Sequence, residues 1–578
     1  MSHSPDTPPT AEDCLTAPVQ YAGAIQAHGY LVSCSRSDWT IRHVSENLGG
    51  LLGVPTESLP GMPLQEFVEA DVLQRISDAV AAAGVDTAQR VCTANIGALM
   101  TVCDVTAHAA QDLLHIELEP QPRDAGRLPP TALAQRMISG LDVAGDWPGF
   151  FDAVARQVHE LTGYDRVMVY RFREDDSGEV IAEVHADGME PYLGLRYPAT
   201  DIPPPARRLY LRNRIRIIPD ASYTPVPVLP ATTGDEPLDM SQHVLRSVAP
   251  VHLEYLRNMG VAASMSISII SGGRLWGLVA CHHRSPRRVP AATRVAADLF
   301  GMFVSMRVAA REQELAVERF DRAQQLRDAL VLRLASASDF DLALSGELAQ
   351  ARGVLECDGA MLRLGDRWHQ DGLVPTGEQA SLLGWAAAGE GAPVPHTDAV
   401  ADWEGPGLDA RGLAGVLAIP LGAPGEWLFL FRCEQAGQVH WAGEPHKAMV
   451  PTDDGVRLAP RRSFALWKEE VRGRSRPWSR ADLHGAERLH QILREQRSRA
   501  RARGAELAEL EDRYQRRRLQ EQKARLDGVS SLLAGLVDVE VADVERLERQ
   551  IGRLEGELRG LIRQCARARG KPADAPPA

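Results

Sequence analysis

The densest chemistry in the sequence lies in Tyr197-Pro-Ala-Thr-Asp-Ile-Pro-Pro-Pro-Ala-Arg-Arg-Leu-Tyr-Leu-Arg-Asn-Arg-Ile-Arg216. A Pro-rich turn presents Asp201. The stretch then continues as a helix gathering Tyr210 and several arginines, because proline is excluded from a helix interior but accepted in its first turn. Asp201, just ahead of that turn, is placed to cap or lean on the helix N-terminus. Chemically this is an acidic group on a rigid turn, beside a cationic patch suited to carboxylates or phosphates. A capped surface helix would carry the same residues. A second reactive group is Cys14, in Ala11-Glu-Asp-Cys-Leu-Thr-Ala-Pro18, ahead of any regular element. Cysteine is usually buried, so a thiol on an extended arm is either functional or incidental.

The elements that must hold these groups follow from pattern and composition. At 578 residues the chain exceeds one core and divides into about three to five domains. A formal charge of −13 argues against a nucleic-acid or membrane-surface binder. The stretch from Ala481 onward is nearly balanced but dense in charge. No apolar run is long enough to span a bilayer, and the N-terminus carries no secretory pattern. The eight cysteines are scattered, with no CxxC and no Cys/His cluster at metal spacing. A reduced, cytoplasmic protein without a structural zinc site is the expectation.

Residues 1–10 read as a disordered arm. From Gly23 to about Glu119, β-type runs (Gly29–Cys34, Thr40–Val44, Leu113–Glu119) surround one helical run near Leu64–Ala83, a mostly antiparallel α+β domain. Gln121–Pro130 is punctuated like a linker. A second α+β domain follows: a helix over Phe150–Leu161, strands Arg166–Phe172 and Gly178–His185, then the Tyr197–Arg216 stretch. After it come a loop at Asp220–Pro237, a helix over Val244–Met259, and strands Ala263–Ile270 and Leu275–His283. Ser271-Gly-Gly-Arg joins those last two as a hairpin turn. A long helix from Leu299 to about Leu334 is a spine or dimer element. The third α+β domain holds buried strands at Gly415–Pro420 and Trp427–Cys433, and a long excursion from Trp441 to Trp478. In the helical tail, Val544, Leu547, Ile551, Leu554, Leu558, Leu561 and Cys565 repeat at alternating steps of three and four, a coiled-coil seam. An earlier register runs through Leu489, Leu493, Gln496, Ala500, Arg503, Leu507, Leu510 and Tyr514, and the two glycines of Asp527–Gly535 offer a bend between the registers. A globular helix hairpin is the alternative to the coiled coil.

Together these pieces resemble a bacterial phytochrome over residues 10–483. Cys14 with Gly23-Ala-Ile-Gln-Ala-His-Gly29 resembles the chromophore-attaching arm of the PAS domain. Pro198-Ala-Thr-Asp-Ile-Pro203 resembles the GAF signature, with Thr200 where serine is usual. Tyr255-Leu-Arg-Asn-Met-Gly260 and Trp276-Gly-Leu-Val-Ala-Cys-His-His283 match the rest of the GAF pocket. Trp441-Ala-Gly443, Pro460-Arg-Arg-Ser-Phe464 and Trp467-Lys-Glu469 resemble the PHY tongue.

The resemblance implies biliverdin IXα, held in the GAF pocket and joined to Cys14 by a thioether. Arg216 and Arg246 match the propionate anchors, with Tyr210, Ser264 and Ser266 beside them. Asp201 and His252 match the residues near the inner pyrroles, and His282 the partner of the D-ring carbonyl. Tyr170, Tyr197 and Tyr255 match the packing around that ring. Ala249 departs from the pattern, where a hydroxyl residue is common. His28, His243 and His283 read as packing residues. The family's mechanism implies light-driven isomerisation at the C/D bridge, after which Asp201 exchanges partners with Arg461, and a tongue including Ser463 and Trp467 refolds between hairpin and helix.

The expected architecture is α+β: three consecutive domains with antiparallel sheets, joined by long spine helices, then a coiled-coil tail. The expected boundaries are a disordered arm at 1–10, PAS at 11–124, GAF at 125–307, a connecting helix at 308–335, PHY at 336–483 with its tongue at 441–478, a helical tail at 484–568, and disorder at 569–578. No H-box, ATP lid, GGDEF or EAL signature follows Leu483. The expected output is therefore a parallel homodimer controlling a protein partner, with no membrane or nucleic-acid partner. A bilin lyase or reductase, and a sensor acting through a separate kinase, are the alternatives.

Overall fold

The computed structural model describes residues 19–83, 87–98, 100–121, 128–141, 146–230, 232–233, 236–377, 379–389, 394–399, 412–435, 437–445, 449–452, 455–458, 464, 466–535 and 544–568. Cys14, Arg461 and Ser463 lie outside them. The chain forms two compact units, Met1–Asp321 with Glu434–Arg474, and Arg322–Cys433 with Ser475–Ala578.

Two large sheets dominate the first unit, beside two two-stranded ribbons. One runs in the order Ala24–Ile25, Val226–Leu229, Ile41–Ser45, Tyr30–Ser35, Leu113–Pro120, Thr101–Ala110, Gln89–Ile96. The alternation in Leu113–Pro120 sends Leu114, Ile116 and Leu118 into a core with Leu48, Leu64 and Ile76. His115, Glu117 and Glu119 point the other way, yet they too are buried. Glu117 accepts from the backbone N–H groups of Val244 and Leu245 at 3.0 and 2.6 Å, and Glu119 pairs with Arg294. A strand that reads as half-solvated therefore has its polar face covered by chain more than a hundred residues away.

The same distant segment clasps residues 19–26. Ala24 and Ile25 pair with Pro227 and Val226 on one side. On the other, the Ser247 N–H donates to the Ala24 carbonyl and the Gln26 N–H to the Leu245 carbonyl. This is why the expected helix over Val244–Met259 is shorter: residues before Pro250 are engaged as extended chain, and helix Pro250–Asn258 begins at the proline. The expected helix over Leu64–Ala83 is likewise shortened to Ala70–Ala83, with a 3-10 turn at Leu64–Glu66 burying Leu64.

The second sheet runs Ile215–Ile218, Ala263–Ser271, Arg274–His283, Arg166–Phe172, Gly178–His185, Arg196–Tyr197, Gly437–Ala442, Leu466–Val471. One face packs Ile217, Met265, Ile267, Val279, Cys281, Val167 and Val169 against helices Trp147–Thr162 and Ala291–Ser336. Asp146 starts the first of these helices by accepting from the Gly149 N–H, and Gly163 ends it at φ 62°. The hairpin turn at Gly272 and Gly273 has φ of 56° and 73°, values glycine takes without strain.

In the second unit, a five-stranded antiparallel sheet (Arg367–Gly372, Gly359–Leu364, Trp427–Cys433, Leu413–Pro420, His396–Thr397) buries both faces. Helix Arg480–Gly535 is continuous, so the expected bend at Asp527–Gly535 is absent. Its first turns do not form a coiled-coil seam: Leu489, Leu493 and Gln496 are buried, and both leucines belong to the sheet's core. Farther along, Leu507, Leu510 and Tyr514 are exposed. Helix Val544–Ala568 leaves Ile551 and Leu558 exposed as well. Among the described residues no helix is long and apolar enough to cross a membrane.

Candidate chromophore-binding site

The cleft is written into the register of the second sheet. Opposite the core, side chains line up in cross-strand rows. Ile218, Ser264 and His282 form one row, Arg216, Ser266, Ala280 and Met168 the next, and Leu278 with Tyr170 a third. Tyr197, Asp201, Ile202 and Tyr210 close one side, and His252, Tyr255, Leu256 and Met259 of helix Pro250–Asn258 and its end close the other. About 100 Å³ of cavity lies between these walls, in a cleft that opens to solvent; cofactor sites are concave and mostly apolar in this way.

The lining is apolar with a few convergent polar groups. Arg216 donates to the Val244 carbonyl at 3.1 Å and also to that of Arg246. Arg246 donates to the Val19 carbonyl at 2.7 Å, which ties it to the clasped N-terminal segment. No described carboxylate lies within ion-pair distance of either arginine. Burial depresses both guanidinium groups, and Arg216 beside it helps bring Arg246 down to about 9. Two adjacent cations, one buried and one half-buried, favour an anion beside them.

Among the described residues His282 is buried with Nδ1 unpartnered. Burial first, then the Arg166 charge, pushes its pKa down to about 3, so the ring is neutral. The Tyr197 hydroxyl is also buried without a hydrogen bond, and its pKa is driven upward by burial. The Tyr255 hydroxyl donates to Asp201 Oδ2 at 3.2 Å, and the Tyr255 and His252 rings lie parallel 6.0 Å apart. Asp201 does not cap helix Pro204–Arg212: Pro203 occupies the cap, and Asp201 sits in a 3-10 turn facing the cleft. The three prolines push the helix start past it.

The excursion 437–471 returns to this sheet as a hairpin. Trp441 pairs with Trp467 across it, and a parallel bridge joins Trp441 to Arg196 at the sheet edge. Phe464 is buried among Tyr170, Tyr192, Tyr197 and Leu278, with its ring edge-on to Tyr255. Trp467 is 45% exposed.

Comparison with known proteins decides the family. Residues 14–121 match the PAS fold family, 146–310 the GAF domain and 323–502 the phytochrome region. The bacteriophytochrome of Pseudomonas aeruginosa is 39% identical over 497 residues, covering 85% of this chain and 67% of that protein. That of Xanthomonas campestris pv. campestris is 34% identical, covering 83% and 78%. The chain belongs to the bacteriophytochromes. It carries the photosensory regions of a light receptor.

The solved structure of an R. palustris bacteriophytochrome superposes with a TM-score of 0.70 at 32% identity, covering 84% of this chain and 99% of that one. The phytochrome photosensory core module of Stigmatella aurantiaca gives 0.68 at 35% identity, covering 83% and 97%. This bacteriophytochrome spans only 65% of the length of some curated relatives, such as cyanobacterial phytochrome B of Nostoc. Of the residues the sequence singles out, Tyr170, Tyr197, Asp201, Tyr210, Arg216, His252, Tyr255, Ser264, Ser266 and His282 all line one cleft. Arg246 lies just outside the lining, and Ala249 starts helix Pro250–Asn258 without a side-chain cap. Sequence reasoning missed the apolar walls Met168, Ile218, Leu256, Met259 and Leu278, and the contact of Phe464. The signals were available: Met168 and Ile218 sit two residues from Tyr170 and Arg216 on their strands, Leu278 sits four before His282, Leu256 and Met259 sit one and four past Tyr255, and Phe464 ends the Pro460–Phe464 motif.

Proposed function

We propose that this bacteriophytochrome holds biliverdin in the cleft, joined to Cys14 by a thioether, and signals red and far-red light through its tongue and helices. The observation that carries the reading is the pairing of an apolar slot with two adjacent arginines, Arg216 half-buried in its lining and Arg246 buried behind it, that lack a carboxylate partner among the described residues. Those features fit a flat, apolar ligand with two carboxylates. The unpartnered His282 Nδ1 and Tyr197 hydroxyl add unused hydrogen-bonding capacity on the cleft side of the sheet.

Arg216, with Arg246 behind it, anchors the carboxylates, and Tyr210, Ser264 and Ser266 supply hydroxyls. Asp201 and His252, both on the cleft lining, would hold the inner pyrroles. Tyr170, Tyr197, Tyr255 and His282 enclose the terminal ring. When bound, the bilin supplies the visible absorption and the double bond that light isomerises. The protein answers with a change of partner at Asp201, whose hydrogen bond from Tyr255 is exchanged for Arg461. Ser463 and Trp467 move with the tongue, which is a hairpin in this conformation. Such a pair is bistable, because breaking a buried ion pair is costly.

The domain assignment we propose is PAS at 11–124, GAF at 125–307, the connecting helix at 308–335 and PHY from 336, with the tongue at 441–478. The helix starting at Arg480 serves first as PHY core and then as output. Helices Arg480–Gly535 and Val544–Ala568 mediate a homodimer and contact a protein partner, without kinase chemistry of their own. Biliverdin added to the full chain is expected to give one far-red-absorbing adduct that survives denaturation, and Cys14→Ser to bind the bilin without the denaturation-resistant adduct. Turnover of biliverdin, or an adduct persisting in Cys14→Ser, overturns the assignment.

A further inference from the structure

Three histidines meet in the interior of the first unit, away from the cleft. His108 and His115 are direct cross-strand partners in the hairpin of Thr101–Ala110 and Leu113–Pro120. Their rings stack with centroids 4.7 Å apart. His243, from the segment ahead of Pro250, stands edge-on to each of them at the same 4.7 Å. One ring nitrogen of each lies within 4.8 Å of the other two. The three residues are 1%, 2% and 0% exposed.

Packing alone accounts for this poorly. Only His115 has a strong partner, the Ser33 hydroxyl at 2.7 Å from Nδ1. Among the described residues His108 Nδ1 and both ring nitrogens of His243 are buried without a hydrogen bond, although the Met240 carbonyl draws weakly on the His243 ring. Each buried, unmatched polar group costs about 1–3 kcal/mol. The cluster is reached from three sides. Thr101–Ala110 and Leu113–Pro120 supply two rings, residues 239–246 supply the third with Asp239 and Arg246 close by, and His43 faces His115 from strand Ile41–Ser45. Burial keeps the three rings neutral, the form in which imidazole binds metals.

We propose that His108, His115 and His243 form a structural site for one late first-row transition-metal ion, Zn2+ or Cu+. A set of three imidazoles without carboxylates suits these ions and not magnesium or calcium. Zinc–nitrogen bonds of about 2.0–2.1 Å place ligand atoms roughly 3.3 Å apart. Side-chain rotations inward of about 1 Å close the present gap. The Ser33 hydroxyl on His115 Nδ1 leaves Nε2 as the ligand atom and fixes the ring, the usual outer support of a metal-binding histidine. An ion here joins the first sheet to the segment that clasps residues 19–26 and carries Arg246. Binding only the folded state, it stabilises that clasp. The sequence hides the site because its ligands come from positions 108, 115 and 243, and no local spacing announces it.

The test uses the full chain, free of any histidine tag and of bilin, because a bilin itself chelates zinc. It is produced with Zn2+, and in a second arm with copper under reducing conditions, then desalted and assayed for metal by mass spectrometry. The expected result is one ion per chain in at least one arm. His108→Gln and His243→Gln should lose the ion. Ser33→Ala, a milder change, should hold it about 10- to 100-fold more weakly. A strong chelator should lower the melting midpoint of the parent chain and leave His243→Gln unmoved. If the glutamine variants fail to fold, the Ser33→Ala affinity and the chelator-dependent melt of the parent decide the matter. Absence of stoichiometric metal in both arms, or full retention in His243→Gln, overturns the site.

Discussion

Phe464 sets its ring edge-on against Tyr255, with centroids 5.2 Å apart and planes at 90°. Tyr255 in turn donates to Asp201 at 3.2 Å. The segment returning through Phe464 thus reaches the cleft beside Tyr255, whose hydroxyl holds the carboxylate on which the switching proposal rests.

That contact makes a quantitative prediction. Tyr255→Phe keeps the ring and removes the donor to Asp201; Phe464→Ala removes the edge-on partner. An aromatic pair contributes about 0.5–1.5 kcal/mol and a hydrogen bond to a charged group about 1.5–3. Each variant should still bind biliverdin and should shift the ratio of the two photostates about threefold or more. Because the residues touch, the double variant should depart from additivity by at least about 0.5 kcal/mol, read from dark-reversion equilibria. Strictly additive effects would show that the tongue does not act through Tyr255.

His282 adds to the pH dependence of stability, beside the buried His108, His115 and His243. Its folded pKa of about 3 lies below the ordinary 6.5, so the unfolded chain binds more protons between those values. The stability it contributes is full above 6.5 and is lost as pH falls toward 3. Between pH 7 and 5 that loss is about 2 kcal/mol for this group. Denaturant unfolding of the bilin-free chain at the two pH values should therefore show His282→Gln losing about 2 kcal/mol less than the parent. Equal losses would mean that the ring takes up its proton in the fold as readily as in the unfolded chain.

Much of this was legible in the residues. The strands Arg166–Phe172, Ala263–Ile270 and Leu275–His283 and the turn at Gly272 could be read from apolar runs and paired glycines, and the register of these strands places Ser264, Ser266 and His282 on one face. What could not be read was non-local. Val244 and Leu245 look helical in sequence, but their N–H groups are taken by Glu117. Leu489 and Leu493 fit a heptad and also fit the core beneath Leu417 and Leu430, and spacing cannot tell the two apart. The face of Leu113–Pro120 bearing His115 looks polar and solvated because its cover lies at 236–247.

The tail gives a fourth prediction. The seam residues Ile551 and Leu558 stand 42% and 43% exposed on a helix whose flanking ion pairs, such as Arg559 with Glu555, are at the surface and contribute little. A second copy of the helix is the proposed cover. Leu554→Glu or Leu558→Glu should shift the full chain from dimer toward monomer in light scattering, while leaving the absorption spectrum unchanged. A monomeric parent chain would remove the coiled-coil reading.

Difference spectroscopy of the biliverdin-loaded full chain tests the central claim most directly. Alternate red and far-red irradiation should produce a difference spectrum with one positive and one negative lobe that inverts on each change of light and repeats over many cycles. A loaded protein whose spectrum is unchanged by light, or which bleaches irreversibly as the bilin is consumed, would contradict the account.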